Sequence, residues 1–130
     1  MWFDDGSQSR AWRVSFLFDF GGSVVPVPSL DGPRQGHVLV TDNVYGPTRN
    51  FCDTVLNRTG VTTTYFDPLV GGGIASLMQP NTRAVYLESP GSLSFEVQDV
   101  PAIAAAAHAR DAVVLMDNTW ASPLYFRALE

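Results

Sequence analysis

Residues 112–120 read Ala-Val-Val-Leu-Met-Asp-Asn-Thr-Trp, a continuous apolar run that ends abruptly in a carboxylate. Val113 to Met116 show no period-2 alternation, the pattern of a parallel strand covered on both faces by helices. Ligands of open α/β sheets gather just beyond the carboxyl ends of the strands, which makes Asp117 the first candidate for chemistry. A carboxylate in that place can also do no more than cap the turn that follows it. The segment alone does not separate the two roles.

Upstream, the same grammar repeats. A strand is expected at His37 to Thr41, followed by the turn Asn43-Val44-Tyr45-Gly46-Pro47 and a helix from about Pro47 or Thr48, with Phe51, Val55 and Leu56 on one face. Gly60 suits the position just past that helix. Val61 to Phe66 reads as a second strand, and the Gly71-Gly72-Gly73 run leads into a short helix from Ile74 to Met78. Arg83 to Leu87 makes a third strand, ending in Glu88-Ser89-Pro90-Gly91. Asp99 is an N-cap, Pro101 sits in the first turn, and the alanine-rich run predicts a helix to Arg110. Strands alternating with helices over short connections imply an α/β fold with a parallel sheet. In such a sheet Tyr45, the Ser89-Pro90-Gly91 turn and Asp117 all lie beyond carboxyl ends and share one mouth.

Composition bounds the rest. A chain of 130 residues is long enough for one domain, and 45% hydrophobic residues suits a globular one. Thirteen acidic residues against eight basic ones give a net charge of −5 with no basic run, which argues against nucleic acid or an anionic membrane as the main partner. No apolar run approaches the roughly 20 residues a membrane helix needs, and Met1 to Asp5 show no signal-peptide pattern. The one cysteine, Cys52, excludes an internal disulfide, so a cytoplasmic location is expected. All eight basic residues are arginine, so chemistry that needs a lysine amine cannot be complete in this chain.

The individual motifs have bland readings too. Tyr45, on a tight turn, can present its ring face to a flat ligand or simply pack half-buried. Arg49 can bind a carboxylate or phosphate but reads rather as a solvated residue of the first helical turn, and the triple glycine reads as a helix lead-in rather than a phosphate cradle, since no Lys-Ser/Thr follows it. His37 and His108 lack ligand-like spacing, and Cys52 lies in a helix without a recognisable base.

From Gly36 to Glu130 the chain resembles the pyridoxal-phosphate enzymes of cysteine and methionine metabolism, the fold-type-I group of cystathionine lyases and synthases. The matching segments are Val44-Tyr45-Gly46-Pro47-Thr48-Arg49, Glu88-Ser89-Pro90-Gly91-Ser92 and Asp117-Asn118-Thr119-Trp120-Ala121-Ser122-Pro123. All three take the form of the cystathionine β-lyase subgroup; the γ-specific relatives usually carry Tyr-Gly-Gly, Glu-Ser-Pro-Thr-Asn-Pro and Asp-Asn-Thr-Phe. The resemblance implies a partial large domain of the fold-type-I transferase fold over 36–130. It also implies pyridoxal 5'-phosphate as cofactor, with Asp117 pairing with the protonated ring nitrogen, Tyr45 stacking on the ring and Thr119 beside them. A small sulfur amino acid is then the substrate, and a homotetramer the expected assembly of the parent enzyme.

The chain also departs from the family. The lysine that holds the cofactor lies downstream of the Asp-Asn-Thr strand in a Thr-Lys-Tyr type turn, which this sequence does not contain. The Ser-Gly turn that cradles the phosphate is missing from residues 1–35, a segment rich in Gly, Pro and Ser between Gly21 and Pro33. The expectation is a frame-shifted segment joined to family sequence near Gly36, with a truncation after Glu130. Reading the encoding DNA in all three frames tests this: a Ser-Gly turn should emerge upstream in another frame, and its absence from both would refute the idea.

Overall fold

The computed structural model describes residues 36–126 and, before them, the backbone pairing of β1 (Val14–Ser15) with β2 (Val27–Pro28), which is antiparallel. The main sheet contains β3 (His37–Thr41), β4 (Thr62–Phe66), β5 (Thr82–Glu88) and β6 (Val113–Asp117), in the order β4-β3-β5-β6 with every neighbouring pair parallel. From β3 the chain moves outward to β4, then returns past β3 to β5 and continues to β6. The connections therefore diverge between β3 and β5. The carboxyl ends of those two strands flank the crevice where open α/β sheets hold their ligands.

Apolar side chains cover both faces of the sheet, which explains the missing alternation. One face carries Val38, Val40, Ala84, Tyr86 and Leu115 against Cys52 and Leu56. The other carries Leu39, Val85 and Leu87 against Ile74, Ile103 and Ala107. Each large side chain sealed in this way contributes roughly 1.5–3 kcal/mol. β6 is parallel and packed on both faces as expected, but it is the edge of the described sheet and less buried than expected: only Leu115 is buried, and Val113, Val114 and Met116 remain half-buried. A single strand can show how apolar it is, but not how many neighbours it has.

The helices differ in register from the sequence reading. The first is α-helical only over α1 (Gly46–Phe51), then widens into a π-helical turn at Cys52–Leu56. Bonds spanning five residues bring Phe51, Cys52 and Leu56 to one side and leave Val55 at 43% exposure, so the expected Phe51-Val55-Leu56 face is not formed. Gly60 does adopt the left-handed conformation, φ 84°, as expected past a helix end. The glycine run is itself part of a 3-10 helix, Gly71–Leu77. In α2 (Val100–His108) the Asp99 carboxylate accepts the Ala102 N–H at 3.1 Å, the expected cap. That helix stops two residues short of Arg110, and Asp111 turns left-handed at φ 56° to lead into β6. A last short turn, α3, spans Ser122–Tyr125. No described helix is long and apolar enough to cross a membrane.

His37 opens β3 with no exposure to solvent. Its Nδ1 lies 2.8 Å from Thr82 Oγ1 and its Nε2 lies 2.9 Å from Thr64 Oγ1. The Gln79 N–H donates to Thr82 Oγ1 at 2.8 Å, and Gln79 Nε2 lies 3.4 Å from His37 Nε2, so both ring nitrogens sit among polar partners. Burial lowers the His37 pKa from its ordinary 6.5. The unfolded chain then takes up a proton that the folded chain refuses, so stability declines as pH falls below 6.5 towards the lowered value. Urea unfolding between pH 7.5 and 5 should show stability falling with pH below 6.5, with a His37 contribution of at most about 1.4 kcal/mol per pH unit, and His37→Gln should flatten the fall.

Candidate active site

The carboxyl ends of β3, β5 and β6 bear Thr41, Glu88 and Asp117. Glu88 and Asp117 are register partners, and the Ser89 N–H donates to the Asp117 carbonyl at 3.3 Å. Asp117 Oδ1 accepts both the N–H of Thr119 at 2.9 Å and its hydroxyl at 2.5 Å. The capping role considered for Asp117 is thus realised at one oxygen, and it fixes the half-buried carboxylate at the strand end. Two of the residues expected at the site, Asp117 and Thr119, act as one unit.

Tyr45 stands at the N-cap of α1 with 37% of its surface exposed. It follows β3, which lies two positions from β6 in the sheet, so the two strand ends are roughly 10 Å apart. What joins them is Glu88, only 2% exposed. Glu88 Oε2 accepts the Tyr45 N–H at 2.8 Å, and Oε1 accepts the Ser92 hydroxyl. Burial pushes the Glu88 carboxyl above its ordinary value and the negative Asp117 adds to this, while the bonds from Ser92 and the Tyr45 N–H pull it down.

The loop from Ser89 to Asp99 is tied across the crevice by polar contacts. Gln98 Nε2 donates to Thr41 Oγ1 at 2.6 Å, Thr41 donates to Asn43 Oδ1 at 2.8 Å, and Asn43 Nδ2 donates to Glu96 Oε2 at 2.9 Å. The hydrogen bonds from Ser94 and Asn43 hold the Glu96 carboxyl below its usual range. Ser92 N–H donates to the Asn43 carbonyl at 3.1 Å. At Gly91 an added Cβ would overlap the Asn43 carboxamide, so a glycine is required there. Phe95 holds a left-handed backbone, φ 60°, uncommon for so bulky a residue, and its ring meets Trp120 edge-on at 5.1 Å between centroids.

Other candidates lie outside this cluster. Arg49 pairs with Asp42 at 2.5 Å and covers the Tyr65 ring at 3.8 Å, so the carboxylate it holds belongs to its own turn. A cleft of about 370 Å³ bounded by Cys52, Asp53, Asn57, Thr62 and Thr63 opens at the start of β4, away from the carboxyl ends. Burial, with the Asp53 charge adding to it, pushes the Cys52 thiol up to about 11, which leaves it a poor nucleophile at neutral pH. Sequence reasoning passed over Glu88, Asn43 and Gln98. Glu88 carried the same signal as Asp117, an acid ending an unbroken apolar run, but β5 extends through Glu88 and the expected strand ended at Leu87.

Comparison with known proteins places this geometry among relatives. The model of the Cys/Met metabolism PLP-dependent enzyme family matches residues 32–130. A protein of Rhizobium johnstonii named putative cystathionine beta-lyase is 52% identical over 117 residues, covering 89% of this chain and 30% of its own length. The cystathionine beta-lyase of Escherichia coli is 48% identical over 117 residues, again with 30% of its length covered. This chain therefore spans about a third of the length of the curated relatives it matches. The 89% coverage carries the Rhizobium alignment upstream of Gly36, so a join between foreign and family sequence would have to lie before that residue. The crystal structure of cystathionine gamma-lyase from Lactobacillus plantarum, complexed with L-serine, superposes with a TM-score of 0.65 at 38% identity, over 68% of this chain and 23% of that one. A parallel sheet with helices on both faces, and a family match that takes in all three strand ends, lead to one conclusion: this chain belongs to the Cys/Met metabolism PLP-dependent enzymes.

Proposed function

We propose that the chain is part of the cofactor-binding domain of a pyridoxal-phosphate-dependent carbon–sulfur lyase that cleaves cystathionine to homocysteine, pyruvate and ammonia. The observation that carries this reading is Asp117, a carboxylate fixed at the carboxyl end of β6 by Thr119 and set beside Glu88. Two adjacent acids make that strand end a favourable place for a protonated pyridine nitrogen. The donor set fits the cofactor: an acid, a hydroxyl beside it, and an exposed aromatic ring from the neighbouring turn.

When bound, pyridoxal phosphate supplies an electron sink for the carbon that bears the substrate's amino group. In this reading Asp117 keeps the ring nitrogen protonated, through a pairing worth about 4 kcal/mol before desolvation at 4 Å and an effective dielectric of 20. Thr119 holds Asp117 in the required orientation, and Tyr45 offers its ring face. The amine that moves protons must come from outside these 130 residues, which contain no lysine. A role in methionine biosynthesis, a cytoplasmic location and a homotetrameric parent complete the proposal. Residues 36–130 are its partial large domain, with 1–35 unassigned.

A γ-lyase reading has the Lactobacillus plantarum structure behind it. The β-type is preferred because the space at Gly91 is filled by Asn43, and the threonine that γ-specific relatives usually carry there could not enter without displacing it.

Titrating the chain with pyridoxal phosphate, followed by tryptophan quenching and cofactor absorbance, tests the site. Saturable binding is expected, and Asp117→Asn should weaken it roughly ten- to hundredfold, as for loss of a charged hydrogen bond. Equal binding by the variant would remove Asp117 from the site. The unaltered chain, given cystathionine and cofactor, should release no pyruvate above the free-cofactor rate; turnover above it would show that the lysine is dispensable.

A further inference from the structure

We propose that Glu88 is a positioning residue for Tyr45: its buried carboxylate clamps the backbone of the tyrosine turn to the Ser92 loop, and so sets the ring of Tyr45 over the crevice between β3 and β5. The inference rests on the cofactor site proposed above and assigns it a residue that does not itself touch the ligand. Glu88 is 2% exposed, against 37% for Tyr45, so Glu88 is the buried end of the link and Tyr45 the exposed end.

The clamp has three points. Oε2 takes the Tyr45 N–H at 2.8 Å, so the amide at the head of α1 finds its acceptor in a side chain of another strand. Oε1 takes the Ser92 hydroxyl. Ser92 returns to the same turn through its own N–H, which donates to the Asn43 carbonyl at 3.1 Å. Tyr45, Glu88, Ser92 and Asn43 therefore form one link between two loops that follow different strands. No side chain caps the start of α1; the Tyr45 carbonyl accepts the Arg49 N–H at 3.1 Å within the helix, while the Tyr45 N–H points away from it to Glu88, the one bond that ties this amide to another strand. A buried amide left without an acceptor moves until it finds one, and the ring moves with it.

The experiment uses the full 130-residue chain labelled with nitrogen-15. Glu88→Met keeps the length of the side chain and removes both acceptors. Its Tyr45 amide resonance should shift strongly, and pyridoxal phosphate should bind about tenfold more weakly. Glu88→Gln retains an acceptor for the Tyr45 N–H and should restore most of both. In a Tyr45→Ala background Glu88→Met should change affinity less than twofold, because the residue it positions is gone; in an Asp117→Asn background the full tenfold loss should persist. If Glu88→Met does not fold, Ser92→Ala removes one arm of the clamp from a half-buried loop and should still shift the Tyr45 amide. An unmoved Tyr45 amide, or an equal loss of affinity with and without the Tyr45 ring, overturns the proposal. If the unaltered chain binds no pyridoxal phosphate, the cofactor reading fails by itself, and the Tyr45 amide alone decides whether the clamp exists.

Discussion

A carboxylate sealed from water needs hydrogen-bond donors, and at Glu88 those donors come from two loops that follow different strands. β5 delivers the acid to the middle of the sheet's carboxyl edge, between the strand that leads to Tyr45 and the strand that ends in Asp117. The Thr41, Asn43, Gln98 and Glu96 chain of hydrogen bonds then closes the loop after β5 over the same edge. Without that carboxylate, the tyrosine turn and the Ser92 loop keep the bond from the Ser92 N–H to the Asn43 carbonyl and that from Asn43 Nδ2 to Glu96.

The strands were legible because burial on two faces leaves an unmistakable record. Leu39 and Val85 must be apolar for one helical layer, Val38 and Tyr86 for the other, and the result is an unbroken run. Asp99 as a cap and Gly60 past a helix end were legible for local reasons, a side-chain acceptor and a left-handed backbone. The helical registers were not. Whether Phe51 to Leu56 winds with four- or five-residue bonds depends on which side chains the sheet accepts, and Val55 was assigned to the wrong side for that reason. The edge position of β6 was hidden in the same way, since strand order is a property of the whole sheet. Asp117, Thr119 and Tyr45 are proposed for the site from strand ends and family motifs, whereas Glu88 was taken for part of a turn when it is the last residue of β5.

His37 and Glu88 place opposite demands on the same two central strands. His37, at the amino end of β3, is held neutral by burial, and its contribution fades as pH falls below 6.5. Glu88, at the carboxyl end of β5, has its pKa raised, so the folded state favours its proton; its contribution is whole below 4.5 and fades as pH rises through the raised value. Ionising Glu88 in the folded sheet therefore costs stability at that end.

Gly91 and Asn43 belong to different motifs, yet the carboxamide of one fills the space where the other would carry a side chain. Neither can drift alone. A larger residue at 91 becomes admissible only after Asn43 has shrunk or turned away, and that change would first break the bonds to Thr41 and Glu96. The two positions should therefore behave in divergence as a single character, with the route between loop types passing through a destabilised intermediate or a simultaneous change at both.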